Sequence, residues 1–259
     1  QKGAEVSLAA MEIGAVDCVG KPTAGVPAEL AFTELAAKVK AAARARVRAT
    51  SDRAPCHAAG ADFRPDGRVV AIGSSTGGVE ALLTVLATFP ANCPPTVITQ
   101  HMPATFIPIL AEHISRVGGL PCAEAKDGER IVPGRAYLAP GDRHMLVAGD
   151  RHVPLISLSS APPENFCRPA VDPMLRSATA VMGGRVLAVI LTGMGHDGLA
   201  GCRAIAAQGG AVIAQDEATS VVWGMPGAVA QAGIASAIVP VGDVAREITN
   251  MVRSVGASA

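Results

Sequence analysis

Aromatic side chains are scarce in this 259-residue chain, 3% of residues with one Trp and one Tyr, so the stacking platforms that hold single-stranded nucleic acids are largely missing. Charge of one sign is missing too. Lys and Arg number 22 and Asp and Glu 22, a net charge of +0, and no overall field draws a polyanion. Nucleic acid is not an expected partner. No apolar run approaches the ~18–20 residues that cross a bilayer, and Gln1-Lys2-Gly3-Ala4-Glu5 lacks the basic flank and apolar core of a leader. Neither membrane insertion nor export is expected. The six cysteines (Cys18, Cys56, Cys93, Cys122, Cys167 and Cys202) include no C-x-x-C and no Cys/His cluster at zinc-ligand spacing. Each reads as a small buried hydrophobe in a thiol-keeping cytoplasm, and no metal or cofactor is expected.

What is present is apolar surface: 49% hydrophobic against 17% charged residues, enough to offset the entropy of ordering a core. The 28 Gly and 19 Pro, spread between short Val/Ile/Leu runs, fit many tight strand-to-helix loops better than a helical bundle. Residues 1–22 end in an apolar-faced helix, a glycine stop and a short strand closed by Lys21-Pro22, too small a piece for its own core. Residues 23–66 read as a linker with an embedded helix from about Thr33 to Arg48, whose Lys38, Lys40, Arg44, Arg46 and Arg48 form a solvated basic face.

From residue 67 to 253 the pattern becomes regular. Strands are expected at Val69–Ile72, Thr96–Thr99, Val186–Leu191, Ala211–Ala214 and Ala235–Val239. Helices are expected at Val79–Ala87, Thr105–Arg116, Val171–Met182, Leu199–Gln208, Pro226–Gln231 and Val244–Val252. Between the second helix and the third lies a Pro/Gly-rich middle with hairpin-like pieces at Ala136–Ala139, Met145–Ala148 and Val153–Leu158. This alternation predicts an α/β fold: a doubly wound, mostly parallel sheet with helices on both faces and a small hairpin region.

In such a sheet reactive groups gather beyond the carboxyl ends of strands. Three strand ends there carry a serine, a histidine and an aspartate. Gly73-Ser74-Ser75-Thr76-Gly77 fits G-x-S-x-G centred on Ser75, a sharp turn that exposes a hydroxyl beside helix N–H groups able to hold an oxyanion. Ser74 is the competing hydroxyl. The same loop could instead cradle a phosphate or nucleotide, although neither G-x-G-x-x-G nor G-x-x-x-x-G-K-[ST] occurs. Of six histidines, His101 ends a strand two residues before Pro103, and His196 is the next choice as base. Asp197, among Gly193, Gly195 and Gly198, suits the orienting acid that a histidine base needs; it equally suits a helix cap before Leu199.

Together Ala71–Gly78, Ile98–Pro103 and Ile190–Gly198 resemble the signature segments of the chemotaxis protein-glutamate methylesterases, the CheB family. Ala139–Met145, Arg168–Asp172 and Trp223–Pro226 are similar to further family stretches. The resemblance implies a serine hydrolase that demethylates glutamate γ-methyl esters on the cytoplasmic helices of methyl-accepting chemotaxis receptors, releasing methanol, and that deamidates receptor glutamines. It implies Ser75 as nucleophile, His101 as base and Asp197 as orienting acid, with Met194 and Thr76 at the oxyanion and Arg168 as a candidate for binding substrate. It also implies that residues 1–22 are the end of a receiver domain, whose phosphate-accepting aspartate lies upstream and is served by a histidine kinase, and that residues 67–253 are the catalytic domain. Ser74 departs from the family's usual Ala. Two readings of other kinds stand beside this one: a phosphate- or nucleotide-binding module built on Gly73–Gly78, and a non-catalytic scaffold that binds receptors.

Overall fold

The computed structural model describes residues 6–7, 10–11, 13–19, 33–45, 64–118 and 120–253. Its centre is a seven-stranded sheet in which every pairing is parallel. In chain order the strands and helices are α1 (Thr33–Arg44), β1 (Val69–Ser74), α2 (Gly78–Leu86), β2 (Thr96–Gln100), α3 (Ile107–Gly118), β3 (Cys122–Glu124), β4 (Ala136–Leu138), β5 (His144–Gly149) and β6 (Pro154–Ser159). There follow α4 (Val171–Met182), β7 (Val186–Ile190), α5 (Leu199–Ala207), β8 (Ala211–Gln215), α6 (Met225–Gln231), β9 (Ala237–Val239) and α7 (Val244–Met251). The sheet order is β3-β4-β2-β1-β7-β8-β9, with β5 and β6 as a separate antiparallel pair.

The continuous apolar runs of β1 and β7 follow from burial on both faces. Val70, Ile72, Leu187 and Val189 join one core with α2, α3 and α7, while Val69, Ala71, Val186 and Ala188 join a second core with α4 and α5. Successive side chains of a strand point to opposite faces, so both faces select aliphatic residues. Chain order runs outward from β1 to β2 and then returns to β7 on the other side. Strand β1 therefore stands at a topological switch point, where the loops beyond the strand ends diverge and leave a crevice.

Three readings of the middle and the front change. Ala136–Leu138 is no hairpin piece: it pairs in parallel with both β2 and Cys122–Glu124, a three-residue strand that the sequence pattern does not reveal. The hairpin is made by β5 and β6 alone. Residues 15–19 form no strand. Instead the Gly77 N–H donates to the Val16 carbonyl at 3.2 Å, so this segment leans on the loop after β1. Nor is the basic helix wholly solvated, because Lys38 reaches Asp17 at 3.2 Å and the Cys18 carbonyl at 3.0 Å. Arg46, Arg48, Lys21 and Pro22 lie outside the described residues.

Candidate active site

Strands β2, β1 and β7 are neighbours in the sheet, so their carboxyl ends bring Ser75, His101 and the Thr192–Asp197 loop to one rim. The Ser75 N–H donates to the Thr192 carbonyl at 3.0 Å, and the His101 N–H to the Ser74 carbonyl at 3.0 Å. Small residues permit the approach: a Cβ on Gly193 would lie 2.7 Å from the Ser75 Cβ and 2.5 Å from the Met225 sulfur. Gly193 is fixed in turn by its N–H to Val222 and by the N–H groups of Gly224 and Met225 on its carbonyl. The Trp223–Pro226 stretch therefore sets where Met194 stands.

The histidine and the aspartate meet. His101 Nε2 lies 2.8 Å from Asp197 Oδ2, with the two side chains 12% and 3% exposed. Asp197 accepts four further N–H bonds: from Val171 at 2.7 Å, Asp172 at 3.0 Å, Gly198 at 2.9 Å and Asn165 Nδ2 at 2.9 Å. Val171 and Asp172 begin α4, so the carboxylate sits against the positive end of that helix. The cap reading of Asp197 thus applies to the wrong helix; α5 has Gly198 at its N-cap with no side-chain cap bond. A Cβ on Gly73 would clash with Val171 at 2.5 Å, and its absence lets the start of α4 press against β1.

Burial opposes the charged form of Asp197, but the His101 hydrogen bond and charge and the two helix N–H groups outweigh it and hold the carboxyl below its usual range. For His101 burial again disfavours the cation, yet the bonds to Asp197 and Cys167 prevail and the imidazole is raised to about 9. Asp172, buried and close to Asp197, is pushed up.

The competing residues are now separated. Ser74 is fully buried and donates its hydroxyl to Gln100 Oε1 at 2.6 Å, whereas Ser75 lines a pocket with His101, Gly77, Gln100 and Met102. His196 is exposed. His144 is buried and spent between the Ala170 N–H and the Pro162 carbonyl. The loop after β1 is also a poor phosphate cradle, since the N–H groups of Ser75, Gly77 and Gly78 are all committed to carbonyls. Among the described residues the N–H groups of Thr76 and Met194 have no protein acceptor, while the Thr76 hydroxyl donates to Asp17 Oδ2 at 2.7 Å. Arg168 gives Nη1 to the carbonyls of Ser160 and Ala161 at 3.3 and 3.2 Å. No group of three or more His, Cys, Asp or Glu able to hold a metal occurs among the described residues, and no helix among them is long and apolar enough to cross a membrane.

Sequence reasoning missed three contributors. Cys167 places its sulfur 3.5 Å from His101 Nδ1, on the side of the ring away from Asp197. Asn165 bridges Asp197 and Asp172. Gln100 clamps the serine loop, donating to the Ser75 carbonyl at 2.9 Å. Only Gln100 carried a signal, its place beside His101 at a strand end.

The profile of CheB methylesterases matches residues 70–248. A Rhodospirillum centenum protein named protein-glutamate methylesterase/protein-glutamine glutaminase of group 2 operon is 50% identical over 94% of this chain and 70% of its own length. An Azospirillum brasilense protein-glutamate methylesterase/protein-glutamine glutaminase is also 50% identical, over 94% of this chain and 69% of its own length. The crystal structure of the Thermotoga maritima CheB methylesterase catalytic domain superposes with a TM-score of 0.70 at 38% identity, covering 72% of this chain and 99% of that one.

Proposed function

Because the chain belongs to the CheB methylesterase family, we propose that the Ser75, His101 and Asp197 rim hydrolyses glutamate γ-methyl esters on a protein and, by the same attack, side-chain amides of glutamine. The activity is that of a protein-glutamate methylesterase and glutaminase; the assignment of residues to steps is ours. The observation that carries it is the buried 2.8 Å pairing of His101 with Asp197 beside Ser75.

In the proposed reaction His101 takes the Ser75 proton on Nδ1, the nitrogen that Asp197 does not hold, as Oγ attacks the ester carbonyl. Asp197 fixes the tautomer and stabilises the imidazolium that forms. The Cys167 thiol yields Nδ1 to the serine at this stage. The N–H groups of Met194 and Thr76 receive the oxyanion; donors of this kind typically supply on the order of 3 kcal/mol each. Collapse expels methanol, which leaves with the proton held by His101, and a water activated by the same imidazole then cleaves the acyl-serine. Arg168 holds the 160–161 loop through Nη1, and its other terminal nitrogen, Nη2, is assigned to the substrate. Methyl-accepting chemotaxis receptors are the proposed substrates. A scaffold that merely bound them would have no use for a buried carboxylate with five donors on it.

A base must be neutral to act. With His101 raised to about 9, kcat/KM is expected to climb with pH through that value rather than through the ordinary histidine range near 6.5. A methanol-release profile measured from pH 5 to 10 checks it; a plateau already complete at pH 7 would contradict this protonation of the pair.

Residues 1–22 are proposed as the end of a receiver domain, 23–66 as a linker and 67–253 as the catalytic domain, with a histidine kinase acting on the receiver. This is supported by the front segment's position: Gly14 to Cys18 line the same pocket as Ser75 and His101. Asp17→Ala removes the acceptor of the Thr76 hydroxyl and of Lys38, and is expected to raise turnover of methylated receptor several-fold. Unchanged turnover in a receptor assay would show that this segment does not hinder the site.

A further inference from the structure

Among the described aromatic residues Phe89, Phe106 and Tyr137 are buried. Phe166 is 97% exposed. Water contact over a whole phenyl ring is unfavourable, and the backbone under it is also unusual. Phe166 has φ 63° and its neighbour Asn165 has φ 51°, a left-handed conformation that residues with bulky side chains seldom adopt. The Glu164 N–H donates to the Cys167 carbonyl at 3.1 Å, and the Cys167 N–H to the Glu164 carbonyl at 2.9 Å. Two central residues of positive φ inside such reciprocal bonds make a tight two-residue turn of the primed kind, where Asn and Gly are the usual occupants. Asn165 suits its place. Phe166 does not.

The turn is pinned on every side. Glu164 makes two bonds to Arg176, at 2.6 and 2.7 Å. Asn165 holds Asp197 and Asp172, and Cys167 rests on His101. Phe166 is therefore flanked in the chain by one residue in contact with the acid and one in contact with the base. A phenyl ring has been placed, in a conformation that disfavours it, on a fixed turn at the rim of the site and left bare to solvent. Met194, 40% exposed on the loop that carries Asp197, is a second apolar group there.

Resting on the methylesterase reading, we infer that Phe166 is a docking residue for the protein substrate: its ring packs against an apolar side chain of the receptor segment that carries the esterified glutamate, and so sets recognition of a protein over a small ester. A rigid aromatic that loses little conformational freedom on contact is well suited to anchor such an interface. The ring makes no bond to the reacting atoms. Its effect belongs in KM for the receptor and not in the chemical step.

The test compares two substrates, methylated receptor and a small N-acyl glutamate γ-methyl ester, with Phe166→Asn, Phe166→Leu and the wild type. Asn favours the left-handed turn, so Phe166→Asn removes the ring while keeping the loop that holds His101 and Asp197. It is expected to raise KM for receptor about tenfold, the effect of losing one well-packed aromatic contact, with kcat/KM for the small ester unchanged. Phe166→Leu keeps an apolar group and is expected to restore much of the receptor KM. Receptor kinetics unaltered in Phe166→Asn would overturn the inference, and so would an equal fall on both substrates, which would make the ring part of the turn's structure. Wild-type protein that cleaves the small ester and releases no methanol from receptor would overturn the protein-substrate reading on which the inference rests.

Discussion

Ser75→Ala is expected to abolish methanol release, lowering kcat by about a million-fold, the scale on which loss of a triad nucleophile falls in other serine hydrolases. No neighbouring hydroxyl can take over. Ser74 is one residue away, but it is fully buried with its proton on Gln100, and the Thr76 hydroxyl is turned to Asp17. The substitution removes one oxygen from a partly exposed side chain and leaves the His101–Asp197 pair and the Gln100 clamp on the Ser75 carbonyl in place. Thermal unfolding should therefore be close to wild type. Methanol quantified from methylated receptor, beside a melting curve, checks both halves.

Asp197→Asn should differ from Ser75→Ala in every readout except the loss itself. The amide keeps the shape of the carboxylate and loses its charge, so the imidazolium formed during attack is no longer stabilised, and the tautomer that leaves Nδ1 free is no longer enforced. A fall in kcat of about 10⁴-fold is expected, the cost of the equivalent change in a serine protease. Stability should fall as well. The carboxylate accepts five N–H bonds, including two from the start of α4, and an amide offers a single acceptor oxygen. The pH dependence of stability follows from the same pair. His101, raised in the fold, contributes stability that is full below its unfolded value near 6.5 and is lost as pH rises through about 9. Asp197, held below its usual range, contributes stability that is present above about 4 and lost as pH falls through its lower folded value. In Asp197→Asn both slopes should flatten, which urea unfolding at a series of pH values measures.

The parallel sheet was legible because β1, β7 and β8, buried on both faces, carry aliphatic runs, and β2 carries Val97-Ile98 between threonines. The β3 and β4 edge was not, since three residues such as Cys122–Glu124 have no period to read, and Ala136–Leu138 sits in a Pro/Gly-rich stretch that resembles hairpin sequence. Residues 15–19 carry the Val-rich composition of a strand but lean on the serine loop through the Val16 carbonyl and the Asp17 carboxylate; composition cannot tell a paired strand from an extended segment. In the site, glycine spacing pointed to Ser75 and Asp197, and a strand end just before Pro103 pointed to His101, because strand ends and tight turns leave local marks. The choice between Ser74 and Ser75 needed the position of Gln100. Asp197's service to α4 joins residues 25 and 26 positions apart in sequence, and Cys167 stands 66 from His101. Contacts of that range leave no trace in local pattern.

In the proposed reaction the Ser75 hydroxyl, driven by His101, forms the covalent bond to substrate. The direct measurement is mass spectrometry of the protein after reaction with an alkyl fluorophosphonate that mimics the acyl step. One adduct on Ser75 is expected, formed readily in the wild type and lost in His101→Ala. Phosphonylation of Ser74 or Cys167, or labelling of Ser75 at the same rate without His101, would contradict the account.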